Sequence, residues 1–157
     1  MKTEQILEDF YVAFVNGDVS RMTAHYHSNA IFEDPAFGKL NYEEVKAMWA
    51  MLIDRSRGDL KITFDILSIN ENLSKVAWEA KYHYGKKRRP VHNKIIASIV
   101  IEDDKIIRHT DKFNLWRWSA QAIGPVGSLF GWSPVLKNTI RKKARKALYH
   151  YMDPSKH

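Results

Sequence analysis

The chain has 157 residues, 45% hydrophobic and 12% aromatic, with a net charge of +7. That length and composition can bury a core without metal or disulfide support, so one domain is expected and global disorder is not. With no cysteine in the sequence, structural disulfides, thiolate catalysis, iron–sulfur clusters and thiolate zinc sites are excluded.

Residues Met1 to Gln5 lead directly into an amphipathic pattern rather than a basic segment with an apolar core, so no signal peptide is expected. No stretch approaches membrane-spanning length, and a cytoplasmic location is the expectation. Ile6, Leu7, Phe10 and Phe14 recur at helical spacing, predicting a first helix from Glu4 to Asn16, capped by Thr3 and ended by Gly17. Asp18 caps a short second helix carrying Val19, Met22 and Tyr26. Residues 30–33 are extended, and Pro35 holds Asp34 out of helical conformation. Asn41 and Glu44 form a capping box for a third helix with Val45, Met48, Trp49 and Leu52 on its apolar face.

From Leu60 the period changes to two. Leu60, Ile62, Phe64 and Ile66 define one strand, and Val76, Trp78, Ala80 and Tyr82 the next. Lys86-Lys87-Arg88-Arg89 forms a solvated hairpin loop, Val91 to Ile101 a third strand, and Lys105 to about Trp116 a fourth. Short connections predict antiparallel neighbours. Glycines and prolines from Ile123 to Pro134 interrupt regular structure, with Leu129, Phe130 and Trp132 read as buried. Ser133 and Pro134 start a last helix bearing Leu136, Ile140, Ala144, Leu148 and Tyr151 on one face and basic residues on the other. Residues 1–118 are thus expected to form the pocketed domain, and residues 119–157 an extension packed on it.

On the fourth strand, alternation puts Ile107, His109, Asp111, Phe113 and Leu115 on one face, so His109 and Asp111 point toward the buried side. A carboxylate there is costly unless paired, wetted or raised in pKa, and a raised pKa suits a general base. A structural network around Asp111 is the alternative. Asp34, between Phe32 and Pro35, is the second acid, either in the pocket or in a plain turn. Tyr11 borders the apolar face of helix one, where it packs in the core or presents a hydroxyl to the cavity. Trp78, Tyr82 and either His92 or Asn93 are candidate lining residues, with Phe113. No glycine-rich phosphate loop, G-x-S-x-G elbow or H-E-x-x-H pair is present, and no histidine spacing argues for a metal site.

The stretches Tyr11 to Asp18, Ala30 to Gly38 and Lys105 to Asp111 resemble the nuclear transport factor 2-like superfamily, particularly its ketosteroid isomerase and SnoaL-like polyketide cyclase branches. The resemblance implies an α+β fold, a cone-shaped curved antiparallel sheet packed on three N-terminal helices. In ketosteroid isomerases the aspartate of a similar E-D-P segment moves a proton α to a carbonyl and a helix-one tyrosine donates to the oxyanion; Asp34 and Tyr11 match these. The third-strand acid of that oxyanion hole is replaced by Ala97, which argues against steroid isomerisation. SnoaL-like cyclases resemble the chain in placing an acid/base aspartate on the final strand, here Asp111, with a histidine two residues earlier, here His109. The resemblance implies cofactor-independent proton transfer on an apolar carbonyl compound; the alternative is a non-catalytic binding or carrier module for an apolar ligand. Two further partners are expected: a second copy across the sheet's outer face, through Ile96, Val100 and Ile106, and an anionic surface against the basic last helix.

Overall fold

The computed structural model describes residues 2–155. Helix α1 (Lys2–Val15) buries Ile6, Leu7, Phe10, Tyr11, Ala13 and Phe14, the stripe that i, i+3, i+4 spacing produces. It begins before Thr3, which therefore lies within the helix rather than capping it, and it is followed by Gly17 at φ 67°. The Asp18 carboxylate accepts the Arg21 amide and caps α2 (Val19–Thr23). Tyr26 does not belong to that helix. It opens β1 (Tyr26–Asp34) and is buried there.

A turn at residues 35–37 leads to the short strand β2 (Gly38–Leu40), and the Asn41–Glu44 capping box opens α3 (Tyr42–Ser56). The helix buries Val45, Met48, Trp49 and Met51, while Leu52 is exposed. Met51 rather than Leu52 is thus the buried residue of this turn. Four longer strands follow: β3 (Lys61–Ser68), β4 (Ser74–Tyr84), β5 (Arg89–Glu102) and β6 (Lys105–Lys112).

The curved sheet runs β2-β1-β6-β5-β4-β3. Strands joined by short connections (β1–β2, β3–β4, β4–β5 and β5–β6) pair antiparallel, β2 and β3 lie at opposite edges, and β1 lies parallel to β6. The long connection between those two strands permits the parallel pairing, which the local sequence pattern did not indicate. The concave face takes Val76, Trp78 and Ala80 from β4 and Val91, Ile95, Ala97 and Ile99 from β5, all buried.

A register shift between Val100 and Ile101 opposite β6 alters the expected parity. Ile106 is fully buried and Ile107 only partly, while His109 and Asp111 remain on the inner face. An extra residue in one strand moves every side chain before it to the other face. Ile106 is thereby lost from the outer apolar set expected for pairing, leaving exposed Ile96 and partly exposed Val100.

Strand β6 ends at Lys112. The Asn114 side chain accepts the Arg117 amide and starts α4 (Leu115–Ala122), so Trp116 is helical rather than the end of a strand. Then come α5 (Pro125–Phe130) and α6 (Pro134–Met152), the latter capped by Ser133. Helix α6 packs on α3 and buries Ile140 and Leu148. Leu129, Phe130 and Trp132, expected inside, are exposed instead. Helix α5 is only six residues long and folds back on α4, so its small residue Gly127 makes the close contact and its large side chains face outward.

Candidate functional site

His109 stands among Phe10, Tyr26, Phe32 and Trp49, with ring centroids 5.0–6.2 Å from its own. A polar ring buried that deeply needs partners for both nitrogens. Trp49 Nε1–H donates to the Tyr26 hydroxyl oxygen at 2.9 Å, which directs the hydroxyl proton to His109 Nδ1 at 2.7 Å. Nδ1 is thus the acceptor, and Nε2–H donates to Asp111 Oδ1 at 3.0 Å. Trp78 Nε1–H donates to the same oxygen at 3.3 Å. The result is a continuous buried chain from Trp49 through Tyr26 and His109 to Asp111.

The sheet register explains how Trp78 reaches this carboxylate. Ala97 is directly opposite Asp111 on β5, and Val76 is opposite Ala97 on β4. Ala97, buried between them, carries only a methyl group.

The Tyr11 side chain is fully buried, and its hydroxyl has no hydrogen-bond partner. Burial, with smaller contributions from the charges of Asp111 and Tyr26, pushes its pKa well above the usual tyrosine value. The group therefore keeps its proton and is a hydrogen-bond donor lacking an acceptor. Leaving it so costs about 1–3 kcal/mol.

Asp34 ends β1, and its Oδ1 accepts the Phe37 amide at 2.6 Å across the Pro35 turn. Burial raises its pKa to about 7, against the pull of the Phe37 amide; the charge of Asp111 adds to the rise, and the Ala36 amide and Arg141 oppose it. Asp34 thus exchanges its proton near neutrality and senses the charge on Asp111.

Helix α6 holds this turn from behind. Arg145 Nη1 donates to the carbonyls of Phe37 at 2.8 Å and Lys39 at 2.9 Å, and Arg141 Nη2 to that of Pro35 at 3.4 Å. Tyr149 and Glu44 complete the attachment, with Arg145 Nη2 donating to Tyr149 Oη and that hydroxyl to Glu44. Part of the basic face of α6 is therefore turned inward.

Of the expected lining residues, Trp78 joins the Asp111 network directly. Tyr82 accepts Trp118 Nε1–H at 2.8 Å, and its pKa is pushed up to about 12, mainly by burial. Asn93 lies opposite Ala80, on the inner face with Val91 and Ile95. His92 is excluded from the lining by strand parity: it lies on the outer face, where its Nε2 meets Glu79. Its backbone amide donates to Gln121 Oε1, and Arg89 Nε to the Gln121 carbonyl. Helix α4 thereby covers the part of β5 that extends beyond β6.

Surface cavities among the described residues include the following two. One, of about 600 Å3, is lined by Ser28 to Ile31 and Asn41 to Glu43. The other, of about 530 Å3, is lined by Pro35, Phe113, Asn114, Leu115, Trp116, Trp132, Lys137 and Arg141. The second adjoins the Asp34 turn through Pro35 and has Phe113 in its wall. Neither of these two is lined by Asp111, Tyr11 or Trp78; Pro35, next to Asp34, lines the second, and Asp111 lies in the buried polar network. Aromatic side chains fill the space between helices and sheet.

Tyr26, Trp49, Trp118 and the clamp of Arg141 and Arg145 were not foreseen as parts of the site. Tyr26 was hidden by its reading as helical, and Trp49 by its place in an ordinary apolar stripe. Among the described residues, no group of three His, Asp or Glu side chains is arranged to hold a metal ion.

The family profile of the SnoaL-like domain matches residues 7–109. No curated protein matches the sequence. Among solved structures, a protein assigned as a polyketide cyclase from Xanthomonas campestris pv. campestris superposes with a TM-score of 0.62 at 19% identity, covering 76% of this chain and 96% of its own. TerC, co-crystallised with polyporic acid, gives 0.61 at 13% identity over 72% of this chain and 92% of its own. A LEH-like epoxide hydrolase from M. tuberculosis gives 0.59 at 16% identity over 84% and 97%. These likenesses establish the shared fold, and the profile match spans well over half the sequence: the chain belongs to the SnoaL-like domain family.

Proposed function

We propose that the chain binds an apolar carbonyl compound and moves a proton on the carbon next to its carbonyl. The observation that carries this reading is the Tyr11 hydroxyl, a buried donor without an acceptor whose proton is retained because its pKa is raised. A carbonyl oxygen that gains charge on enolisation is a fitting acceptor, and a dry surrounding strengthens such a bond. Asp34, with a pKa of about 7, takes the C–H proton as a carboxylate and returns it as an acid. Asp111, oriented by His109 and Trp78, supplies a second carboxyl on the last strand. The reaction is balanced within the substrate, because the proton leaving carbon is returned to carbon or to the enolate oxygen. Membership of the SnoaL-like family supports this reading.

In this reading the substrate enters through the cleft lined by Pro35 and Phe113, with local movement of the aromatic filling. Exchange of α-protons for deuterium, followed by proton NMR over a panel of apolar ketones and 1,3-dicarbonyls, tests the proposal. The wild type is expected to catalyse exchange on at least one compound, with Asp34→Asn and Asp111→Asn each slowing it. Exchange unchanged in both variants would remove these roles. Stoichiometric binding without exchange would leave the carrier reading in its place.

A further inference from the structure

Helices α4 and α5 and the start of α6 carry the most exposed apolar side chains of the described chain. Val126 is 55% exposed, Leu129 66%, Phe130 53%, Trp132 63% and Val135 75%. Exposed apolar side chains are ordinary when scattered, but five within ten residues form a patch, and such patches mark interaction sites.

The segment that carries this patch is basic. From Lys112 to Met152 the sequence holds eight Lys or Arg residues and no Asp or Glu. Lys137 and Lys142 are exposed on α6. On the other side, Arg89 fastens the basic β4–β5 hairpin to the junction of α4 and α5, through the Gln121 carbonyl and a close approach to Gly124. Lys86, Lys87 and Arg88 of that hairpin are exposed, with Arg88 3.5 Å from the Asp59 carboxylate.

The indole N–H groups at the patch are already paired. Trp116 Nε1–H donates to the Ser128 carbonyl at 2.8 Å and Trp132 Nε1–H to the Leu129 carbonyl at 2.9 Å. An apolar surface whose indole donors are internally paired can leave water without stranding them.

We propose that α4, α5 and the start of α6 form a docking surface for an anionic lipid bilayer, the apolar side chains entering the headgroup boundary and the hairpin and α6 lysines facing the lipid charge. Three features favour this occupant. Valine, leucine, phenylalanine and tryptophan beside lysine and arginine are the composition of interfacial binding elements. A second copy would bring two basic segments together, and nucleic-acid phosphates offer nothing to Val126, Leu129, Phe130 or Val135. Among the described residues, no helix is long and apolar enough to cross a membrane, so the contact lies at the surface.

The test is sedimentation of the full chain with vesicles of phosphatidylcholine containing phosphatidylserine, against vesicles of phosphatidylcholine alone, with tryptophan emission recorded in parallel. The wild type is expected to sediment with the anionic vesicles, with blue-shifted emission, and to be released as salt rises. Leu129→Glu/Phe130→Glu is expected to weaken partition at least about tenfold, its fold checked by circular dichroism. Lys86→Gln/Lys87→Gln/Arg88→Gln, which leaves the patch intact, is expected to lose the preference for anionic lipid.

No sedimentation with either vesicle would overturn the proposal, as would equal sedimentation of the wild type and both variants. Patch substitutions that instead convert a dimer to a monomer in analytical ultracentrifugation would assign the surface to a second copy. Loss of RNA binding in the same variants, without any vesicle binding, would assign it to nucleic acid. Either result refutes the lipid surface.

Discussion

His109 and Asp111 share the inner face of β6 and are joined by a 3.0 Å hydrogen bond from Nε2 to Oδ1, fixed from behind by the Tyr26 hydroxyl on Nδ1. The bond turns two candidate residues into one unit whose charge reaches Asp34 and Tyr11. The charge on Asp111 contributes to the high pKa of Asp34, so Asp111→Asn is expected to lower it below its value of about 7. NMR titration of the Asp34 side-chain carboxyl in the two proteins measures the difference. An unchanged midpoint would show that the two acids are independent.

Tyr11→Phe should separate stability from function. Removing a buried hydroxyl without a partner takes away an unmet desolvation cost, so the variant is expected to be more stable by about 1 kcal/mol. Binding or turnover of a carbonyl ligand should fall at the same time. Urea denaturation gives the first quantity. A destabilised variant would mean that the hydroxyl is structural.

Asp34 sets a pH dependence of defined sign. Its folded pKa of about 7 lies above the ordinary 3.8, so between these values the folded protein holds more protons than the unfolded one. Stability from this group is therefore fully present below about pH 4, falls as pH rises toward 7 and is level above that. The size is roughly 2–4 kcal/mol, with the lower end preferred because the residue is partly exposed. Asp34→Asn is expected to flatten this segment of the stability curve, as followed by denaturation from pH 4 to 8.

Arg145 binds the Phe37 and Lys39 carbonyls, so Arg145→Met is expected to cost about 1–3 kcal/mol and to speed amide exchange at residues 37–39. The Phe37 amide holds the Asp34 pKa down; a looser turn should raise it further. Hydrogen exchange and the Asp34 titration read the two effects separately.

His92→Ala and Asn93→Leu should differ in their effect on a ligand. Only Asn93 is on the inner face, so only its replacement is expected to change ligand affinity in calorimetry. A loss of affinity in His92→Ala with its fold intact would contradict this placement.

Much of the architecture was legible in local pattern. The Asn41–Glu44 capping box, Asp18 as a cap, the period-two strands and the Ser133-Pro134 helix start all follow from residues a few positions apart. His109 and Asp111 were legible as inward-facing for the same reason, even though the β-bulge placed Ile106 rather than Ile107 beside them. Long-range relationships were not legible. The partnership of Trp49 with Tyr26, across 23 residues, depends on how α3 meets β1. The clamp of Arg145 on Phe37, across 108 residues, depends on where α6 lands. The exposure of Leu129 and Trp132 likewise reflects a tertiary choice, because the sequence only records that the residues are apolar.

The profile match ends at residue 109, two residues before Asp111 and well before the arginines that secure the Asp34 turn. A protein trimmed to that boundary would keep the tyrosine and the first aspartate but lose the second, together with the helix that braces the first. In this chain the segment after the matched region supplies the second acid and the arginines that hold the turn of the first. A chimera that grafts residues 7–109 onto a relative's C-terminal part would inherit a turn without its brace, and a graft extending through Tyr149 would carry both.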